Sequence, residues 1–172
     1  MLEGDARDLS ALGLPRPVHL VASSPPYPGV YDYAEHHALR AAFLGLDASA
    51  HSAREIGARR HARSAGALAR WQRDLEAVFR GLAGLLADDG TIVLLCGDGV
   101  LEGQVVRADD SVAAAAKPAG LAVRAVAWQE RPAFSAEERR ALGGGKREVL
   151  VALSPCRRAP SSAGSTARPS AR

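Results

Sequence analysis

Two short apolar runs flank one long amphipathic segment, and this arrangement restricts the fold more than any other feature of the 172 residues. In the middle segment Trp71, Leu75, Val78, Phe79, Leu82, Leu85 and Leu86 recur at i, i+4, i+7 and i+8. That spacing predicts a helix with one apolar stripe facing a core. Before it lies Val18-His19-Leu20-Val21-Ala22, and after it Thr91-Ile92-Val93-Leu94-Leu95-Cys96. Both runs are short, rich in branched residues and not strictly alternating, which suits strands buried on both faces of a parallel sheet. Asp88-Asp89-Gly90 is expected to end the helix, and Gly97-Asp98-Gly99 to turn the chain after the second strand.

The rest of the chain extends this pattern. Residues 31 to 46 read as an aromatic, His-rich loop leading into a helix, with Leu39, Phe43 and Leu46 at helical spacing. Residues 51 to 64 carry His51, Arg54, Arg59, Arg60, His61 and Arg63 and few large apolar side chains, so an exposed basic loop is expected. An alanine-rich stretch from Asp110 to Ala116 predicts a third helix, closed by Pro118 and Gly120. Leu121 to Trp128 and Arg147 to Leu153 predict two more strands with no clear helix between them, and these should pair antiparallel at one edge. The expected class is α/β: a Rossmann-like, mostly parallel sheet with an antiparallel edge pair and helices on both faces. Residues 1–154 should form one domain, and residues 155–172, rich in Ser, Pro, Ala and Arg, a disordered tail.

Charge and cysteine content narrow the classes. Twenty-two basic against 19 acidic residues give a formal net charge of +3, which permits a polyanionic partner without requiring one. Cys96 sits in an apolar run and Cys156 in a polar one, so neither a disulfide framework nor a metal site is indicated. No run is long and apolar enough for a membrane span, and the start carries no export signal, so a cytoplasmic, reduced protein is expected.

Ser24-Pro25-Pro26-Tyr27 follows the first strand directly, at the carboxyl end where open α/β sheets place their ligands. Two prolines fix φ and offer carbonyls without N–H groups, so the loop can accept hydrogen bonds without donating. Ser24 adds a hydroxyl and Tyr27 an aromatic face. The four residues resemble the (Asp/Asn/Ser)-Pro-Pro-(Tyr/Phe) signature of S-adenosylmethionine-dependent amino-methyltransferases, which modify exocyclic nitrogens of bases. The continuation Pro28-Gly29-Val30-Tyr31-Asp32-Tyr33 is similar to bacterial site-specific DNA methylases of the Ser-Pro-Pro-Tyr kind, the enzymes of restriction-modification. The resemblance covers roughly residues 2 to 154.

It implies a partial class I methyltransferase fold. It further implies that Ser24 and the Pro25 carbonyl hold the amino group of a flipped-out cytosine or adenine, that Pro26 fixes the loop, and that Tyr27 stacks on the base. A serine in first position is commoner among cytosine-N4 enzymes, which leaves both bases open. Leu2-Glu3-Gly4-Asp5-Ala6-Arg7 resembles the family's Gly-Asp-Ala element, so the resemblance implies cofactor contacts from Asp5, Ala6 and Ser23. Tyr31 and Tyr33 either line the base pocket or pack the loop; Arg59 and Arg60 either hold phosphates or are simply solvated. Adjacent His36 and His37 read as surface residues, Trp71 as core, and Trp128 and Phe134 as undecided. The family's glycine-rich loop, which holds the methionine moiety, is absent from the sequence. The implied cofactor is S-adenosylmethionine and the implied partner DNA, or RNA in the alternative; the missing loop implies either a truncated or split methyltransferase, its cofactor-binding half encoded upstream or downstream or supplied by a separate chain, or a degenerate relative. A glutamine amide as acceptor, or a non-catalytic relative that binds nucleic acid or a partner, are the other readings.

Overall fold

A computed structural model describes residues 2, 4–133, 135–143 and 145–156, without the side chain of Ala48. In chain order the elements are β1 (Val18–Ser23), α1 (Tyr33–His36), α2 (Ala38–Phe43), α3 (Ala48–Arg54), α4 (Ala67–Leu85), β2 (Leu86–Gly97), β3 (Gly99–Leu101), β4 (Gln104–Val106), α5 (Ala108–Ala116), β5 (Leu121–Pro132), α6 (Ala136–Leu142) and β6 (Gly145–Pro155). One sheet has the order β1-β2-β6-β5, and β3 and β4 form a separate hairpin. β1 and β2 are parallel, and β6 is antiparallel to both β2 and β5. Three strands therefore share one direction, and the expected antiparallel pair, β5 with β6, closes one edge. The fold is α/β.

The stripe on α4 is buried as the periodicity requires: Trp71, Leu75 and Phe79 pack on Ile92, Leu94, Val149, Val151 and Leu153, with α5 adding Val112, Ala115 and Ala116. Burying each large apolar side chain contributes about 1.5–3 kcal/mol, so this face holds the domain together. Strand alternation sends Val93, Leu95, Leu150 and Ala152 to the opposite face. There Leu95 opposes Leu150, and both are exposed, as is Leu20 of β1. Helices flank the sheet unequally: α4 and α5 lie on the closed face, whereas α6 reaches the opposite side of β6 only at its start. At that point Glu138 accepts from Lys146 at 2.9 Å, and both side chains are buried.

Several boundaries differ from expectation. Asp88-Asp89-Gly90 does not separate helix from strand: Leu86 already pairs with Val18 and Thr91 with Leu20, so residues 87–90 bulge within β2. Residues 51 to 64 are no plain loop, because α3 ends at Arg54 and a 3-10 turn spans Arg59–His61. The apolar residues around α2 do not face a core, since Leu39, Phe43 and Leu46 are all exposed. Between β5 and β6 lies α6, opened by a capping box in which Ser135 and Glu138 satisfy each other's backbone N–H groups. β6 runs one residue past the expected domain end, to Pro155; the remainder of the expected tail, from residue 157, and Phe134 lie outside the described residues. No described helix is long and apolar enough to cross a membrane.

The β3–β4 hairpin positions α4. Glu102 and Gly103 both have positive φ, the conformation a two-residue hairpin turn demands. Glu102 is an unfavourable residue there. Its carboxylate nevertheless accepts from the N–H groups of Gly66 at 2.7 Å and Leu68 at 3.3 Å. Gly66 has no side chain to cap α4, so Glu102 supplies both the missing acceptor and a negative charge at the helix N-terminus.

Candidate active site

The Ser24–Tyr27 loop leaves the carboxyl end of β1 and is seated on the turn that ends β2. Gly97 lies under the ring of Tyr27: a Cβ there would fall 2.6 Å from a ring carbon. At Gly99 a Cβ would fall 2.0 Å from the Pro28 carbonyl oxygen. The two glycines therefore form the floor on which the loop lies, not a cofactor cradle. Tyr27 Oη donates to Glu148 at 3.3 Å, and the Trp71 indole N–H donates to the Pro26 carbonyl at 3.4 Å. Trp71 is thus both core and a clamp on the motif. Among the described residues the Pro25 carbonyl has no donor, and Ser24 is exposed. Of the two acceptors expected to hold an amino group, the Pro25 carbonyl is left open, and the exposed Ser24 hydroxyl meets the Tyr27 hydroxyl.

Glu148 is fixed by Arg131 and Gln129, each 2.9 Å away. Arg131 above all, aided by Gln129 and Tyr27, holds its carboxyl below the usual carboxylate range, against desolvation. Burial, offset in part by Ser24 and reinforced by Glu148, raises Tyr27, so its phenol stays neutral and donates.

Between the two floor glycines Asp98 is fully buried, with 0% of its surface exposed. Its carboxylate accepts from Arg107 at 2.6 Å, from Arg147 Nε at 3.0 Å and from the Ala108 N–H at 3.0 Å. Arg147 also reaches Asp109 at 2.6 Å, and the Asp98 N–H donates to the Arg147 carbonyl at 2.9 Å. Burial alone would raise the Asp98 carboxyl, but Arg147, the Ala108 N–H and Arg107 outweigh it and hold it below its ordinary value. A charge this deep needs such complete pairing. The network fastens β2, the start of α5 and β6 beneath the motif. The sequence reading missed it because its partners are 9 to 49 residues apart.

The remaining candidates separate into groups. Tyr31 lies 5.1 Å from Tyr33 and 4.5 Å from His36, ring centre to ring centre, so these rings pack the loop upon themselves while staying partly exposed. Arg60 is committed: its guanidinium meets Glu55 at 2.7 Å and Asp32 at 3.2 Å and also donates to the Ser52 carbonyl. Arg59 is exposed; its backbone N–H donates to the Tyr31 carbonyl at 3.0 Å and its carbonyl accepts from the Ala62 N–H at 2.9 Å. Asp5 has both carboxylate oxygens on the Arg7 guanidinium, at 2.9 and 2.6 Å. Arg7 in turn reaches Asp74 at 3.2 Å and lines a cleft of about 510 Å³ with His61, Arg70 and Arg73. Ala6 is exposed beside it, and Ser23 is exposed at the end of β1. Cys96 is buried in the core, which pushes its thiol up to about 12. No group of three metal-ligating side chains occurs among the described residues.

No family model matches the chain, and no curated protein matches it. Solved structures do. One is a provisionally assigned DNA modification methylase from Thermus thermophilus, at 21% identity and a TM-score of 0.47, covering 92% of this chain and 56% of that one. The same methylase complexed with S-adenosyl-L-methionine gives 17% identity, a TM-score of 0.47, and coverage of 92% and 55%. The antibiotic-resistance methyltransferase Kmr gives 17% identity and a TM-score of 0.34, covering 92% of this chain and 96% of that one. The chain spans about half the length of the Thermus methylase.

Proposed function

We propose that this chain is the acceptor-binding half of an S-adenosylmethionine-dependent methyltransferase that acts on an exocyclic amino nitrogen of a DNA base, cytosine N4 or adenine N6. The observation that carries the reading is the seating of Ser24-Pro25-Pro26-Tyr27. The loop is rigid on its protein side, through Trp71, Gly97, Gly99 and Glu148, leaves the Pro25 carbonyl open, and presents an exposed Ser24 hydroxyl that meets Tyr27 and retains a lone pair to accept with. An exocyclic amino nitrogen is a poor nucleophile because its lone pair is delocalised into the ring. Two fixed acceptors on its hydrogens favour the pyramidal nitrogen whose lone pair is available, and they do so without reorganising. Tyr27 offers a neutral aromatic surface to the ring of a base held in that position.

S-adenosylmethionine would supply an electrophilic methyl group, but the described residues do not by themselves make a site for it. No glycine-rich turn follows a strand in a position to cradle it, and both oxygens of Asp5 are taken by Arg7. β1, which carries the motif, has β2 as its one strand neighbour among the described residues. In open α/β sheets a ligand crevice lies between the carboxyl ends of two strands. The free edge of β1 and the bare apolar face behind it therefore suit an α/β unit that adds a parallel strand and covers Leu20, Leu95 and Leu150. We assign the cofactor to that unit.

The test is methyl transfer from radiolabelled S-adenosylmethionine into DNA, RNA and protein, in extracts of cells expressing the chain and in matched extracts carrying Tyr27→Ala or Pro25→Ala. Label in DNA that disappears in the variants is the expected result. Label in DNA that the variants leave unchanged overturns the site, and label confined to RNA or to protein moves the target to that class.

A further inference from the structure

Among the described residues β5 has β6 as its one strand neighbour, so the other side of this 12-residue strand presents backbone N–H and C=O groups that the sheet does not pair. Residues 124–132 of the strand are exposed throughout. Edges of this kind normally carry guards against pairing with another chain: charges, proline or a bulge. β5 carries them only toward its ends. A bulge falls at Arg124, between the paired residues Val123 and Ala125, and the Arg124 guanidinium is tied back to Ser154 Oγ at 2.6 Å and to the Pro155 carbonyl at 2.8 Å. At the other end stand Glu130, Arg131 and Pro132. Between these guards Ala125-Val126-Ala127-Trp128-Gln129 carries no charge and no proline. Val126 and Trp128 share one face of the strand. They are 44% and 58% exposed, although their cross-strand neighbours Val151 and Val149 are completely buried.

The spacing of the guards identifies the occupant. Ala127 is the centre of the unguarded stretch, and Arg124 and Glu130 lie three residues to either side of it. When two copies of one strand pair antiparallel about a two-fold axis perpendicular to the sheet, one residue must oppose itself. With Ala127 at that point, Val126 of each copy opposes Trp128 of the other, and Arg124 of each opposes Glu130 of the other. An aromatic side chain against a branched apolar one, and a cation against an anion, are the cross-strand pairs that stabilise an antiparallel sheet. Moving the centre by one residue in either direction sets Trp128 against Arg124 or Val126 against Glu130. The bulges at the two Arg124 positions then end the ladder where the guards begin.

We propose that β5 pairs antiparallel with β5 of a second copy of this chain, centred on Ala127, so that two four-stranded sheets become one. β1 stands at the opposite end of the strand order in each copy, so the pairing leaves the Ser24–Tyr27 loop and its edge as they are. The inference does not depend on the proposed function.

The test is sedimentation of the full chain over concentrations of about 1 to 100 μM, where a reversible dimer should grow in with concentration by mass action. Val126→Glu and Trp128→Lys should each raise the dissociation constant by about thirtyfold or more, the usual effect of losing a central aromatic or apolar contact. An equimolar mixture of the two variants should dimerise again, because this register sets the introduced carboxylate directly opposite the introduced ammonium. Both replaced side chains are exposed, so each variant should keep the melting temperature of the wild-type monomer, and the mixture decides the matter even if one variant is less stable. A wild-type chain that stays monomeric throughout overturns the pairing. So does a dimer that survives in both variants, which would place the contact on another surface, and so does a mixture that stays monomeric while each variant is folded.

Discussion

The two faces of the sheet are built from the same residues and meet opposite fates. Leu94 and Leu95 are neighbours in one strand, yet Leu94 is 3% exposed under α4 and α5 while Leu95 is 39% exposed on the other side. Alternation decides which way each points, but only what lies over a face decides whether pointing there contributes stability. On the closed face Val149, Val151 and Leu153 are completely buried; on the open one Leu150 is not, although it is just as apolar. Alternation along the strands of this mixed sheet thus presents two apolar faces, of which α4 and α5 cover one.

Alanine substitution of the paired leucines measures the contrast directly, by chemical denaturation of the isolated chain. Leu94→Ala should lose about 3 kcal/mol, the usual cost of truncating a buried leucine and leaving a cavity. Leu95→Ala should lose under about 1 kcal/mol. Equal losses would mean that the second face is covered after all in the isolated chain. If a cofactor-binding unit docks on that face, the same Leu95→Ala should weaken the docking.

Asp98 extends the comparison to the charged part of the closed region. Asp98→Asn keeps the shape but removes the charge that Arg107 and Arg147 surround, and about 3 kcal/mol should be lost, as for a buried pair deprived of one partner. The pH dependence follows in sign. A carboxyl held below its ordinary value in the folded state contributes stability above the unfolded value, near 3.8, and loses it as pH falls through the folded value. Wild-type stability should therefore fall more steeply than that of Asp98→Asn as the pH drops below about 4. Parallel pH profiles would show that Asp98 does not carry this dependence.

What was legible in the sequence follows the same division. Local periodicity identified α4 and its buried stripe, and Ser24-Pro25-Pro26-Tyr27 was visible because its four residues are contiguous. Phe43 and Leu39 show the limit of that reasoning: helical spacing predicts a helix with an apolar face and says nothing of what covers it, and in the structure that face is exposed. The Asp98 network was out of reach because Arg107, Asp109 and Arg147 converge only when β2, α5 and β6 are assembled. Helix α6 was within reach, since Ser135 and Glu138 have capping-box spacing, although no clear helix was expected between the last two strands.

Glu102 gives the smallest effect and separates two opposing contributions at a single residue. Its backbone has a φ of 53°, which a residue with a Cβ adopts at a cost, and its carboxylate caps α4 through Gly66 and Leu68. Glu102→Ala keeps the unfavourable φ and removes the cap, so about 1 kcal/mol should be lost. Glu102→Gly also removes the cap but relieves the backbone, so its loss should be smaller than that of alanine even though glycine is the more flexible residue. Denaturation midpoints of the two variants decide the matter. An alanine variant more stable than the glycine variant would show that the turn imposes no strain, and that the capping bond accounts for the whole contribution of Glu102 to the ordering of α4 above the Trp71 clamp.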